Sequence, residues 1–102
     1  MKIQKERLME LINGLGEMTY TPGAGVTRFS YSDLDRKARN FIFEKCEAMG
    51  LKIYVDPVGN IRVHYTGEND DLASVWIGSH IDSVRNGGRY DGIFGVTSAL
   101  EV

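Results

Sequence analysis

The chain has 102 residues, 42% hydrophobic and 25% charged, with a formal net charge of −2 and one cysteine. That length holds a single domain whose core is near the size where folding becomes secure. The charge balance gives no reason to expect nucleic acid or an anionic membrane as partner, and no apolar stretch is long enough to cross a bilayer.

The charged start, Met1-Lys2-Ile3-Gln4-Lys5-Glu6-Arg7, has no uninterrupted apolar segment after it, so no secretory signal is expected. Cys46 has no partner for an internal disulfide, which fits a reducing compartment, and the cytoplasm is the expected location. From Lys5 to about Met18, Leu8, Leu11, Ile12, Leu15 and Met18 recur at helical spacing and predict an amphipathic helix. Asn13, Gly14 and Gly16 weaken its second half, so early fraying is expected. A loop from Thr19 to Tyr31 follows, holding Pro22, Gly23 and Gly25.

Ser32 suits an N-cap, with Asp33 and Asp35 in the first turn where the helix dipole favours negative charge. The second helix runs to about Met49 with Leu34, Ala38, Phe41, Ile42, Cys46 and Met49 on one face, and Gly50 stands at its C′ position. The period then changes to two. Leu51, Ile53 and Val55 alternate with Lys52, Tyr54 and Asp56, Pro57-Val58-Gly59-Asn60 forms a turn, and Ile61, Val63 and Tyr65 alternate with Arg62, His64 and Thr66, which predicts a hairpin. His64 then points to solvent and is no ligand candidate.

Glu68-Asn69-Asp70-Asp71 lacks the spacing of a calcium loop and reads as a solvated turn. Ala73 to Ser79 contains the consecutive apolar residues Val75, Trp76 and Ile77, the pattern of a central strand buried on both faces, with Trp76 in the core. A last helix starts near Ile93 with Asp91 suited to its N-cap, and Leu100-Glu101-Val102 carries no stop signal, so the chain reads as the N-terminal piece of something larger.

The chemistry gathers in Gly78-Ser79-His80-Ile81-Asp82-Ser83 and Gly87-Gly88-Arg89-Tyr90-Asp91-Gly92. Two residues apart in extended backbone, His80 and Asp82 point the same way, so Asp82 can accept a hydrogen bond from the imidazole nitrogen that holds no metal. The Asn86-Gly87-Gly88 stretch lets the chain turn and bring Asp91 back toward His80. A carboxylate can bridge two cations about 3.5–4 Å apart, the geometry of two-metal hydrolases. One His with an Asp two residues later is a weak pattern on its own, and Asp91 alone could be only a cap. Cys46, on the apolar face of its helix, reads as a buried small hydrophobe. Gly23-Ala24-Gly25 is no dinucleotide fingerprint, since it follows a helix and lacks the third glycine.

Trp76 to Val102 resembles the metal-binding segment of the di-metal amidohydrolases related to aminoacylase and carboxypeptidase. Within them the chain is most similar to the N-carbamoyl-L-amino-acid hydrolase and allantoate amidohydrolase branch. Gly25-Val26-Thr27-Arg28, Ser32-Asp33-Leu34-Asp35-Arg36-Lys37-Ala38-Arg39 and Asp56-Pro57-Val58-Gly59-Asn60 carry the same resemblance. It implies an α/β fold, the N-terminal part (residues 1–102) of a three-layer α/β/α catalytic domain, the remainder and a lid and dimerisation domain being absent. It also implies that His80 is a terminal ligand of one metal, that Asp91 bridges both, and that Asp82 orients His80 in the catalytic machinery.

The implied cofactors are two divalent cations (zinc, manganese, cobalt or nickel), and the implied reaction is hydrolysis of a carbamoyl or related linear amide by a metal-activated water. Gly87, Gly88 and Arg89 would line the approach. Arg85 departs from the family's compact residue, and no Glu-Glu pair supplies the family's general base. Two protein ligands do not close such a site, since even one catalytic zinc usually takes three, so the chain alone is expected to be inactive. Its exposed apolar surface and sheet edge predict a homo-oligomer. N-carbamoyl-L-amino acids, allantoate and β-ureidopropionate all remain as substrates, and a non-catalytic α/β binding module is the rival reading.

Overall fold

The computed structural model describes residues 2–69 and 71–102. Helix α1 spans Lys5–Gly16 and buries Leu11, Ile12 and Leu15, the stripe its apolar period prescribes. It does not fray at its glycines, because a side chain at Gly14 would strike the Phe41 ring: the missing Cβ lets the second helix approach. Helix α2 spans Asp33–Ala48. The Ser32 hydroxyl accepts from the Asp35 backbone N–H at 3.2 Å, satisfying one of the orphan donors of its first turn. Ala38, Ile42 and Cys46 are its buried face, and Gly50 follows with φ 70°.

The hairpin pairs β1 (Lys52–Val55) with β2 (Ile61–His64) antiparallel, with Ile53 opposite Val63. Its turn is tied by the Asp56 carboxylate, which accepts from the backbone N–H groups of Val58 and Asn60 and from Asn60 Nδ2. Those bonds hold the Asp56 pKa below its ordinary value. Arg39 and Tyr31 donate to the Gly59 and Val58 carbonyls from outside, so α2 and the first loop anchor the turn. Helix α3 spans Ile93–Glu101 and buries Ile93, Thr97 and Glu101, one residue per turn. Ile12, Leu15, Ala38, Ile42, Cys46 and Ile93 form the core, with Ile53, Val63 and Ile81 packed at its margin. Arg7 makes a two-pronged ion pair with the buried Glu101 carboxylate, which also accepts from the Gln4 backbone N–H, fastening α1 to the far end of α3.

The α/β class is as expected, and His64 is exposed as expected. The central strand is not formed. From Ala73 to Asp82 the chain is extended but has no backbone partner among the described residues, and Val75 and Trp76 are 93% and 72% exposed. Trp76 is therefore not core. The segment shares a hollow with Val63 and His64 without pairing to β2. An apolar run records what a segment can bury, but a strand also needs a neighbour to pair with. Val55 is likewise exposed at the end of its strand. Glu68, Asn69 and Asp71 are exposed, as a solvated turn requires, while Asp70 lies outside the described residues.

Candidate functional site

The loop of residues 19–31 and the segment of residues 81–87 are laced together by their backbones. Val26 and Gly87 exchange both hydrogen bonds, the Ser83 N–H donates to the Arg28 carbonyl at 2.8 Å, and the Asn86 N–H donates to Thr27 Oγ1. Asn86 takes φ 50°, a left-handed conformation that asparagine tolerates, and its side chain donates to the Ala24 carbonyl. The path from His80 to the start of α3 is thus set by a loop some sixty residues upstream, a dependence that no local pattern signals.

His80 sits where this lacing ends. Its Nδ1 lies 3.0 Å from the Asp82 carbonyl oxygen and 3.2 Å from Asp82 Oδ1, and its Nε2 lies 3.8 Å from Asp91 Oδ2. With the proton assigned to Nδ1 from these partners, Nε2 presents its lone pair toward Asp91. The structure brings His80, Asp82 and Asp91 together.

Asp91 is not the N-cap of α3. Gly92 holds that position with φ 69° and ψ −46°, and the Ile93 N–H donates to the Asp91 carbonyl at 2.8 Å, a three-residue γ-turn. No side-chain cap bond is made, so the Asp91 carboxylate, 73% exposed, is left free to face Nε2. A Cβ on Gly92 would fall 2.6 Å from His80 Cε1 and 2.7 Å from Nδ1, and one on Gly95 would fall 2.7 Å from Ser79 Cβ. These glycines let α3 press against the strand-like segment and set the distance between imidazole and carboxylate.

Gly87 pairs with Val26, and the Arg89 side chain donates to Asn13 Oδ1 on α1. The residue that sequence reasoning passed over is Arg28. It is fully buried, and its Nε and Nη2 both donate to the Ile81 carbonyl, at 2.9 and 2.7 Å, while Nη1 donates to the carbonyls of Leu15 and Met18. Burial lowers the Arg28 pKa, and the negative charges of Asp35 and Asp82 oppose that shift. Its only sequence signal was its place in Gly25-Val26-Thr27-Arg28.

A cation fits between the two facing donors, since 3.8 Å is a little under twice a metal–ligand bond of about 2.0–2.1 Å. Among the described residues no three His, Cys, Asp or Glu side chains gather as a complete ligand set. The site is therefore partial as it stands. No helix among the described residues is long and apolar enough to cross a membrane.

The comparisons put the chain beside the amidohydrolases. No family model matches it. It is 45% identical over 100 residues to an N-carbamoyl-L-amino-acid amidohydrolase of Pseudomonas sp. (strain NS671), covering 98% of this chain and 24% of that protein. It is 32% identical over 96 residues to an allantoate amidohydrolase of Bacillus subtilis (strain 168), covering 94% and 23%. A crystal structure of a hydantoinase/carbamoylase family amidase from Burkholderia ambifaria superposes with a TM-score of 0.91 at 36% identity, over 98% of this chain and 25% of that one. The chain is thus similar to a segment of proteins named N-carbamoyl-L-amino-acid amidohydrolase and allantoate amidohydrolase, and it spans about a quarter of the length of the curated relatives it matches.

Proposed function

We propose that this chain supplies part of a two-metal centre in an amidohydrolase that cleaves the linear C–N bond of an N-carbamoyl-L-amino acid or a related ureido acid such as allantoate or β-ureidopropionate. The observation that carries the reading is the two-sided engagement of one imidazole, Nδ1 on Asp82 and Nε2 facing Asp91. In this reading His80 is a terminal ligand, Asp91 is the carboxylate shared between two cations, and Asp82 keeps the proton on Nδ1 so that Nε2 stays a donor to metal.

Bound zinc, manganese, cobalt or nickel would supply the chemistry of an acidified water, whose pKa falls toward about 7 beside a divalent cation. The chain's own residues hold, orient and space the donors. The remaining ligands and the general base would come from the part of such an enzyme to which this chain has no counterpart, the relatives being about four times as long. Residues 1–102 are accordingly read as one portion of a catalytic domain, without turnover of their own. The exposed run of Val75, Trp76 and Ile77 supports self-association or burial against further chain, and the lone buried thiol of Cys46 supports a cytoplasmic setting.

The test is ammonia release by the full-length gene product from N-carbamoyl-L-amino acids and allantoate, with and without a chelator. Turnover that a chelator abolishes, that zinc or manganese restores, and that His80→Ala removes is the expected result. Chelator-insensitive turnover, or full activity in His80→Ala, would overturn the reading.

A further inference from the structure

We propose that Arg28 is a positioning residue for the metal centre, holding His80 and Asp82 in register through the peptide between them. The inference rests on the reading of His80 as a ligand. Arg28 is wholly buried, yet among the described residues no carboxylate lies within ion-pairing distance of it. A buried charge is normally paired, because desolvating it is costly. Here the guanidinium donors go to three carbonyls, and two of them converge on one oxygen, that of Ile81.

Ile81 is the residue between the imidazole and the carboxylate. In extended backbone its side chain points opposite to those of His80 and Asp82. Its side chain packs at the core margin and its carbonyl is gripped by Arg28, so the peptide cannot roll and its two neighbours share one face.

Among the described residues no other side chain bonds the Ile81 carbonyl. Upstream of Ser83 the extended segment has no backbone partner back to Ala73 among the described residues. The pairing with the loop of residues 19–31 runs through Gly87 and Ser83 and then stops. Arg28 extends it by two residues, to Ile81, with its side chain, from the same residue whose backbone closes the Ser83 contact. Its remaining nitrogen, Nη1, holds the carbonyls of Leu15 in the last turn of α1 and of Met18 just beyond it, so the site's register is referred to the C-terminal end of α1. A lysine ammonium, a point donor, cannot grip Ile81 by two bonds while holding the carbonyls of Leu15 and Met18.

The experiment compares the full-length gene product with Arg28→Lys, Glu101→Gln and His80→Ala. Zinc affinity is read by competition with a chromophoric chelator, and the cobalt-loaded protein by its visible absorption. Glu101→Gln is the control for general destabilisation, since its ion pair with Arg7 is remote from His80 in the chain and touches no site residue. Arg28→Lys should weaken zinc binding about tenfold or more, the usual effect of losing an outer partner of a ligand, and alter the cobalt spectrum, while Glu101→Gln leaves both unchanged.

Equal zinc affinity in Arg28→Lys and wild type, or equal losses in Arg28→Lys and Glu101→Gln, would reduce Arg28 to scaffold and overturn the inference with the metal reading intact. Zinc binding unaffected by His80→Ala would instead overturn the metal reading itself. If Arg28→Lys does not fold, the wild type decides. Coupling between sites is reciprocal, so zinc should slow hydrogen exchange at the Arg28 Nε–H about tenfold, and exchange unchanged by zinc would overturn the inference.

Discussion

Gly92→Ala is the sharpest perturbation the structure offers. Gly92 sits at φ 69° and ψ −46°, a conformation outside the left-handed helical basin that an L-residue can reach. Holding alanine there costs about 1–3 kcal/mol in backbone strain. The new methyl would also lie 2.6 Å from His80 Cε1 and 2.7 Å from Nδ1, and would collide with the His80 carbonyl oxygen. The ring can swing aside only by leaving Asp82, and the carbonyl belongs to a backbone fixed at Ile81 by Arg28.

Overpacking of this kind adds about 1–3 kcal/mol. Together the two terms come to about 2–6 kcal/mol, against a total stability of about 5–15 kcal/mol for a chain of this length. Urea unfolding followed by circular dichroism measures the loss, and the His80 ring resonances report whether the imidazole has moved. Gly88→Ala is the internal control: its φ is not positive, and its Cβ would meet only Asp91 Cβ at 3.9 Å, ordinary contact. It should fall within about 0.5 kcal/mol of wild type or be slightly stabilising. A Gly92→Ala loss below about 1 kcal/mol, or one equal to that of Gly88→Ala, refutes the claim that this glycine sets the spacing of the site.

Ser32→Ala should cost about 1 kcal/mol, read as a lower urea midpoint with unchanged slope, because the Asp35 N–H loses its cap acceptor. The Cys46 thiol is fully buried and its pKa is raised by burial, so a thiol reagent at neutral pH should label it only after unfolding; rapid labelling of the native protein would contradict the core described. Glu101 has its pKa lowered, first by the side-chain hydrogen bond from Arg7 and then by the Gln4 N–H. A depressed folded pKa means the contribution is complete above the ordinary value near 4.5 and is lost as pH falls through the lower folded value. Acid titration of stability should therefore be shallower in Glu101→Gln than in wild type below that pH, and parallel curves would show that the pair does not couple to folding.

What could be read from the residues alone was everything governed by neighbours along the chain. Apolar period placed α1, α2 and the hairpin, Ser32 marked its helix start, Gly50 its end, and the two-residue offset of His80 and Asp82 put both on one side of an extended backbone. Those are consequences of backbone geometry, so a few residues suffice to specify them. The resemblance added the roles and the amidohydrolase reading, which spacing alone left open.

Three things were decided only when distant parts met. The run around Trp76 lies exposed instead of forming a central strand, since strand formation requires a partner and the residues themselves say nothing of one. Asp91 is displaced from capping by a γ-turn at Gly92, which leaves its carboxylate free. Arg28, a charge that composition would assign to the surface, is drawn wholly inside because three carbonyls, of Leu15 on α1, Met18 just after it and Ile81 in the site segment, converge on it. Where a charged side chain is buried depends on which backbone oxygens the fold leaves without partners, and that is a property of the assembled chain.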